Sequence, residues 1–376
     1  MPDQLPIPNP DVIPVPGDIG LILFLLYLTF FAHVVLMNIL VGGTFLTFVS
    51  EMISKFGSND QKRSHHEHLS EKLGHIMPFM VSMTITFGIA PLLFVQGIYG
   101  QFFYTSSVLM ATVWLSVVLL ILIGYYSLYF YTRGFEKYKN RRYIFITISM
   151  VMFAVVAFIY VNNLTLMQTP QKWLAIYTNT NGSGWYLNTD EITLIPRYLH
   201  IALSAIAVSG LLVLYLGMRE KTNEQLKQFA IRWGAIWFVI PTLLQIGVGF
   251  WFYYAIPENL RSIFSEGTPA LLFHSSHVLF TIGTVCIVLS ALGKHKNMVA
   301  WLGIITVLAG ILGKIINRDQ LRQAYLRDVN WTLDVLKTAP QYDVITLFFI
   351  SLLAGVGLLV WILRKYQKEV KANSPK

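Results

Sequence analysis

Charge is what this chain has least of. Only 12% of its 376 residues are charged and 55% are apolar, whereas an ordinary soluble domain carries roughly 25% charged residues. That balance excludes a water-soluble globule and points to a bilayer protein. Cysteine is almost absent too. Cys286 stands alone, which excludes a disulfide within the chain, a c-type haem attachment through C-x-x-C-H, and an iron–sulfur cluster. No Walker motif, dinucleotide-binding G-x-G-x-x-G or internal repeat is present. The Pro-rich start, MPDQLPIPNPDVIPVPGD, lacks the basic region and small-residue cleavage site of a signal peptide. Residues 1–18 are therefore expected to stay on the mature chain as an extended segment.

Long hydrophobic runs are abundant. A crossing needs about 20 apolar residues, and nine windows qualify, near 19–49, 77–99, 106–131, 143–166, 192–217, 230–255, 269–292, 298–316 and 344–363. The expectation is an all-α, polytopic helix bundle with nine transmembrane helices over residues 19–366 and a basic tail at 367–376. The formal charge of +9 does not mean nucleic acid, because the Lys and Arg residues sort by side of the membrane. TRGFEKYKNRRY (132–143) holds five of them, MREKTNEQLKQFAIR (218–232) four, KHK (294–296) two and the tail five, whereas loops 100–105 and 167–191 hold none and one. The N-terminus is thus placed outside and the C-terminus in the cytoplasm. One stretch breaks the rule: KIINRDQLRQAYLRDVNWTLDVLK (314–337), read as an outer loop, has five basic residues and three Asp.

The nine histidines divide by depth. His65, His66, His68, His75 and His295 fall in inner loops, where the cluster SHHEHLSEKLGH reads as a solvated polar segment. His33, His200, His274 and His277 are intramembrane, on spans that all enter from outside. A lone polar side chain in a bundle usually bonds a neighbouring helix, and the same reading covers Gln96, Gln245 and Asn38. Four histidines at compatible depths point instead to metal ligation, since neutral imidazole holds a haem iron without adding a charge. His274 and His277, at i and i+3, share a helix face. Haem propionates need cations, and Arg197, Arg261, Lys314, Arg318 and Arg322 lie near the outer ends of the same spans; interfacial snorkelling is the competing reading for each. No carboxylate lies deep in a span; Glu258, Glu266 and Asp319 are read as the nearest, at the outer surface.

With these residues in view, the sequence resembles subunit I of the cytochrome bd quinol oxidases. The likeness rests on the histidine in FFAHVVLMNILVGGTFLTFVSE, on VNNLTLMQTP closing span 4 and on RYLHIALSAIAVSG opening span 5, and it fades beyond span 6. It implies a multi-pass protein of the bacterial cytoplasmic membrane with two or more haem b groups, His33 and His200 as ligands, quinone as a further cofactor, and a second membrane subunit. His277 stands where the family's low-spin haem takes a methionine, which implies a bis-His iron. Span 3 lacks the family's glutamates, span 8 its glutamate ligand, and AIPENLRSIFSEGTP is too short for its quinol loop. The resulting expectation is a membrane cytochrome b subunit that passes electrons between the quinone pool and an outer partner, a multihaem cytochrome c or periplasmic redox enzyme, without reducing oxygen. A quinol:oxygen oxidoreductase, a haem-free transporter or channel and a structural anchor remain alternatives.

Overall fold

The computed structural model describes residues 14–293 and 297–372. Its elements are helices throughout: α1 (Ile19–Phe56), α2 (Asp60–Leu109), α3 (Ala111–Arg133), α4 (Arg142–Met167), the short α5 (Trp173–Asn179), α6 (Leu194–Arg219), α7 (Glu224–Ala255), α8 (Gly267–Ala291), α9 (Asn297–Arg327) and α10 (Tyr342–Ala372). Among the described residues, eight helices are long and apolar enough to cross a membrane, and α10 is apolar over Tyr342–Leu358. With no water in the hydrocarbon layer to satisfy peptide groups, a helix is the conformation such sequences must take.

Side-chain caps set several starts. Asp18 accepts from the Leu21 amide ahead of α1, Asn59 from Lys62 ahead of α2, and Asn223 from Leu226 ahead of α7. Each satisfies a donor that the first helical turn leaves unpaired.

The two ends of the bundle are distinguished by what meets there. At one end Lys55 reaches the carbonyl of Asn140, Arg142 pairs with Glu51 and Glu67, and Lys72 with Glu220. This end carries the basic loops and is the one expected to face the cytoplasm. At the other, Thr112 bonds Gly184 and Asn188 bonds Asn162, while Val15 donates to the carbonyl of Lys337 and accepts from Ala339. Val15 and Thr338 form an isolated parallel bridge, so the segment ahead of α1 straps the α9–α10 connection. This is called the outer end below.

Two loops of the sequence reading are helix. The histidine stretch 64–75 belongs to α2, a helix of 50 residues, or ~75 Å at 1.5 Å per residue. That is more than twice the ~30 Å hydrocarbon core, so its first turns project beyond the membrane at the inner end. His66 is buried there against Phe229 and Trp233 of α7; His295 lies outside the described residues. The stretch 314–337 is α9 as far as Arg327. Lys314, Arg318 and Arg322 are therefore helical residues of α9, with Arg322 buried in the bundle, while Arg327 and Lys337 remain exposed at this end. Residues 367–372 continue α10; residues 1–13, most of the N-terminal segment, lie outside the described residues, as do 373–376.

Packing brings α1 to the centre. It lies against α2, α4, α6 and α9. A Cβ on Gly42 would stand 2.0 Å from the Ala205 carbonyl oxygen, so the backbones of α1 and α6 touch, as small residues allow in membrane bundles. The same device joins α6 to α7, where a Cβ on Gly234 would meet Leu214 N at 2.4 Å. By contrast, every described side chain of α10 except Ile345 is exposed.

Candidate functional site

Two of the four intramembrane histidines, His33 and His277, reach polar partners on neighbouring helices. His33 on α1 has Nδ1 3.1 Å from the carbonyl oxygen of Thr84 on α2. A carbonyl only accepts, so Nδ1 carries the proton and Nε2 keeps its lone pair. The ring lies against Gly88, where a Cβ would come within 2.9 Å of Cε1; the glycine makes room for the imidazole. His200 on α6 has a buried Nδ1 with no hydrogen-bond partner.

His277 on α8 donates Nδ1–H to its own Phe273 carbonyl at 2.8 Å. Its Nε2 lies 3.2 Å from Nζ of Lys314 on α9, and that ammonium lies 3.8 Å from the centre of the Phe273 ring. His277 and Lys314 thus meet between α8 and α9. His274 is not brought to it: the residue is exposed, its aromatic neighbour is Phe273, and no hydrogen bond reaches it among the described residues. The i, i+3 spacing gave the two histidines one face, but only His277 finds α9 across from it.

One turn and two turns outward along α9 from Lys314 stand Arg318 and Arg322, and Arg197 of α6 meets them. Arg197 is 7% and Arg322 4% exposed. Arg197 Nε and Nη2, Arg318 Nε, and Arg322 Nε and Nη1 have no hydrogen-bond acceptor. Their faces rest on aromatic rings, Arg197 on Phe252, Arg318 on Phe30 and Arg322 on Tyr99.

The one carboxylate among them is Asp319, 3.4 Å from Arg322 Nη1. It accepts from Tyr27 at 2.9 Å, Tyr99 at 3.0 Å and Gln323 at 2.9 Å. Asp319 is therefore not at the outer surface, as its place near the end of a hydrophobic window suggested; at 4% exposure it is buried and saturated with donors. Burying a charge without a partner costs several kcal/mol. Among the described residues the three guanidinium groups have one ion-paired carboxylate, a surplus of two positive charges, and several of their N–H groups find no acceptor.

The remaining expectations separate cleanly. Arg261 donates to the carbonyls of Ile256 and Tyr254, closing the end of α7 and turning away from the arginine cluster. Gln245 makes the interhelical bond expected of it, donating to the His200 carbonyl at 2.9 Å. Asn38 does not: its Oδ1 is buried without a partner.

Sequence reasoning missed the buried inner-end network, in which Glu51 of α1 takes Arg142 Nε at 2.7 Å and the Tyr131 hydroxyl at 3.0 Å. Its only trace was an acidic residue just past one window and an arginine just before another.

The arrangement fits a haem on the protein's side of the contact. Two carboxylates on a ligand edge would balance the two surplus charges and accept the orphaned guanidinium N–H groups, in the bidentate manner arginine favours. The imidazoles of His33 and His200 lie on the helices that frame this cradle. Among the described residues no group of three His, Cys, Asp or Glu forms a bare-ion site, and a haem iron needs only one or two protein donors.

By sequence, neither a protein family nor a curated protein matches the chain. By structure, the chain is similar to the bd oxidase from Geobacillus thermodenitrificans, with a TM-score of 0.63 over 94% of this chain and 100% of that one, at 14% identity. The two share an all-α, multi-pass membrane fold. The bd-like architecture expected from the first six spans holds along nearly the whole chain.

Proposed function

We propose that this protein is the membrane cytochrome b subunit of an electron-transfer complex, carrying electrons between the quinone pool and a redox partner at its outer end without reducing oxygen. The observation that carries the reading is the trio Arg197, Arg318 and Arg322, buried with unsatisfied N–H groups and only Asp319 to offset them. A haem, when bound, supplies one-electron chemistry. The chain's own part is to bind and to position. Arg197, Arg318 and Arg322 hold the ligand's acid groups, and Asp319, gripped by Tyr27, Tyr99 and Gln323, keeps α9 in register and limits the positive field. His33 would offer Nε2 to a haem iron, because its other nitrogen is committed to Thr84. His200 on α6, whose Nδ1 has no partner in the protein, would offer a second imidazole, and His277 on α8 a third.

Absence of oxygen chemistry is supported by α3, which has no carboxylate between Ala111 and Arg133, and by the full occupation of Asp319. A cytochrome c or similar periplasmic partner follows from the cradle's place toward the outer end; a second membrane subunit belongs to the same proposal. The test is a reduced-minus-oxidised spectrum with pyridine haemochrome quantification on the purified protein, repeated under carbon monoxide and with Arg322→Met. Two or more haem b per chain, fewer in the variant and indifferent to carbon monoxide, is the expected outcome. A carbon monoxide-sensitive haem would overturn the electron-conduit reading in favour of an oxidase, and no haem would leave a transporter or anchor.

A further inference from the structure

The inner end holds polar groups that neither the arginine cradle nor the ion pairs of that end use. Phe229, Trp233 and Trp237 recur every four residues and so form one ridge on α7. His66 of α2 sets its ring edge-on against two of them, with centres 4.9 Å from Phe229 and 4.7 Å from Trp233. Trp237 follows Trp233 at 5.7 Å, and Phe45 of α1 closes the row on Trp237 at 5.6 Å. Three helices thus meet along one unbroken run of rings.

Within that run, Nε1 of Trp233, Nε1 of Trp237 and Nδ1 of His66 are all buried without a hydrogen-bond partner. His66 itself is 4% exposed. A buried N–H left unpaired is costly, and three such groups in one row make a locus short of partners. Membership of the interfacial aromatic belt does not account for them. A belt tryptophan turns its N–H to head groups and water, whereas these two N–H groups are covered.

The donors restrict what could answer them. Indole N–H only donates, so the ligand must present acceptors, and the two indoles stand one helical turn, ~6 Å, apart along α7. Rings along the whole row favour a flat, unsaturated body. The cluster on which they pack, built on Leu46, Leu69, Leu73, Val213 and Ala230, is apolar, which disfavours an ion. Trp233 and Trp237 fall inside the hydrophobic window 230–255, close to its inner edge, and both keep part of their surface open. The ligand therefore arrives from the inner leaflet of the bilayer. A neutral, lipid-soluble ring with carbonyl oxygens on opposite edges is a quinone.

We propose that the α7 ridge, with His66 and Phe45, is a quinone-binding site at the inner end, in which the indole N–H groups of Trp233 and Trp237 donate to the carbonyl oxygens and His66 supplies a third hydrogen bond. The site deepens the proposed function, on which it rests for its purpose, by giving the quinone pool an entry on this chain at the end opposite the redox partner.

The test uses the full-length protein in phosphatidylcholine vesicles, photolabelled with an azido-decylbenzoquinone and competed with the same decylbenzoquinone lacking the azide. Labelled peptides are mapped by mass spectrometry. The expected result is labelling within 224–240 of α7 or 60–70 of α2 that the competitor removes. Half-saturation should rise about tenfold in the double variant Trp233→Phe, Trp237→Phe, which keeps both rings and loses both N–H donors. Labelling confined to the 256–267 loop, labelling that the competitor does not reduce, or an unchanged half-saturation in the double variant would each overturn the proposal. If the double variant fails to accumulate, the competed peptides of the wild type decide. Haem content of the same preparation separates the two readings: competed labelling of α7 in a haem-free protein supports the site and sinks the electron conduit, whereas haem without that labelling sinks the site alone.

Discussion

At the scale of the residue, a buried charge in this protein is informative according to whether it is answered. Arg142 and Glu51 are answered: their side chains are 3% and 1% exposed and meet at 2.7 Å. Removing one member strands the other, which costs about 3–5 kcal/mol. Arg142→Met is expected to destabilise by that order in equilibrium unfolding with an anionic detergent. Glu51→Gln is expected to cost less, because Arg142 keeps Glu67 at 2.9 Å.

Glu220, in the turn after α6, gives a pH dependence at the same scale. The amide and hydroxyl of Thr222, and then Lys72, hold its carboxyl at about 2 against an ordinary 4.5. A depressed carboxylate stabilises the fold above its unfolded value and loses that contribution as the pH falls through the folded one. Protection of the 217–224 amides, taken as the ratio of intrinsic to observed exchange rate, is therefore expected to fall between about pH 4.5 and 2, and Glu220→Gln to flatten that profile.

At the scale of the element, the helices that carry His33 and His200 are held in register by absent side chains. Gly42 lies nine residues beyond His33 on α1 and meets α6 at Ala205, five residues beyond His200. Gly42→Val must push α1 away from α6. The expected outcome is a loss of about 1–3 kcal/mol from overpacking together with reduced haem content, checked by thermal melting and haemochrome assay. The apolar windows made these helices legible in the sequence, because bilayer thickness and backbone hydrogen bonding leave no other solution. Where a helix continues in polar residues, hydropathy is silent. The histidine turns of α2 and the arginine turns of α9 were read as loops for that reason, and Asp319 was placed at a surface it does not occupy. The site was legible as residue types, His33, His200 and the α9 cations, since charge and imidazole are conspicuous in an oily chain. Their pairing was not, because Lys314 meets His277 only through the packing of α8 on α9.

At the scale of the whole molecule, alternating basic loops gave the arrangement of ends, and the structure gathers the basic stretches 132–143 and 218–232 at one end. Reporter fusions after residue 372 are expected to be active only when cytoplasmic, and those in the 180–185 loop only when external. The strap of Val15 on residues 337–339 has a consequence for biogenesis. Its two halves lie more than three hundred residues apart, and the 337–339 side is synthesised only after α1 to α9. The outer rim cannot close while the ribosome is still at work, so every intermediate with eight helices inserted still has an open seam. Completion of the rim is thereby a report that the final segment has arrived, and a chain stalled or cleaved before residue 337 exposes its start to quality-control proteases on the outer side.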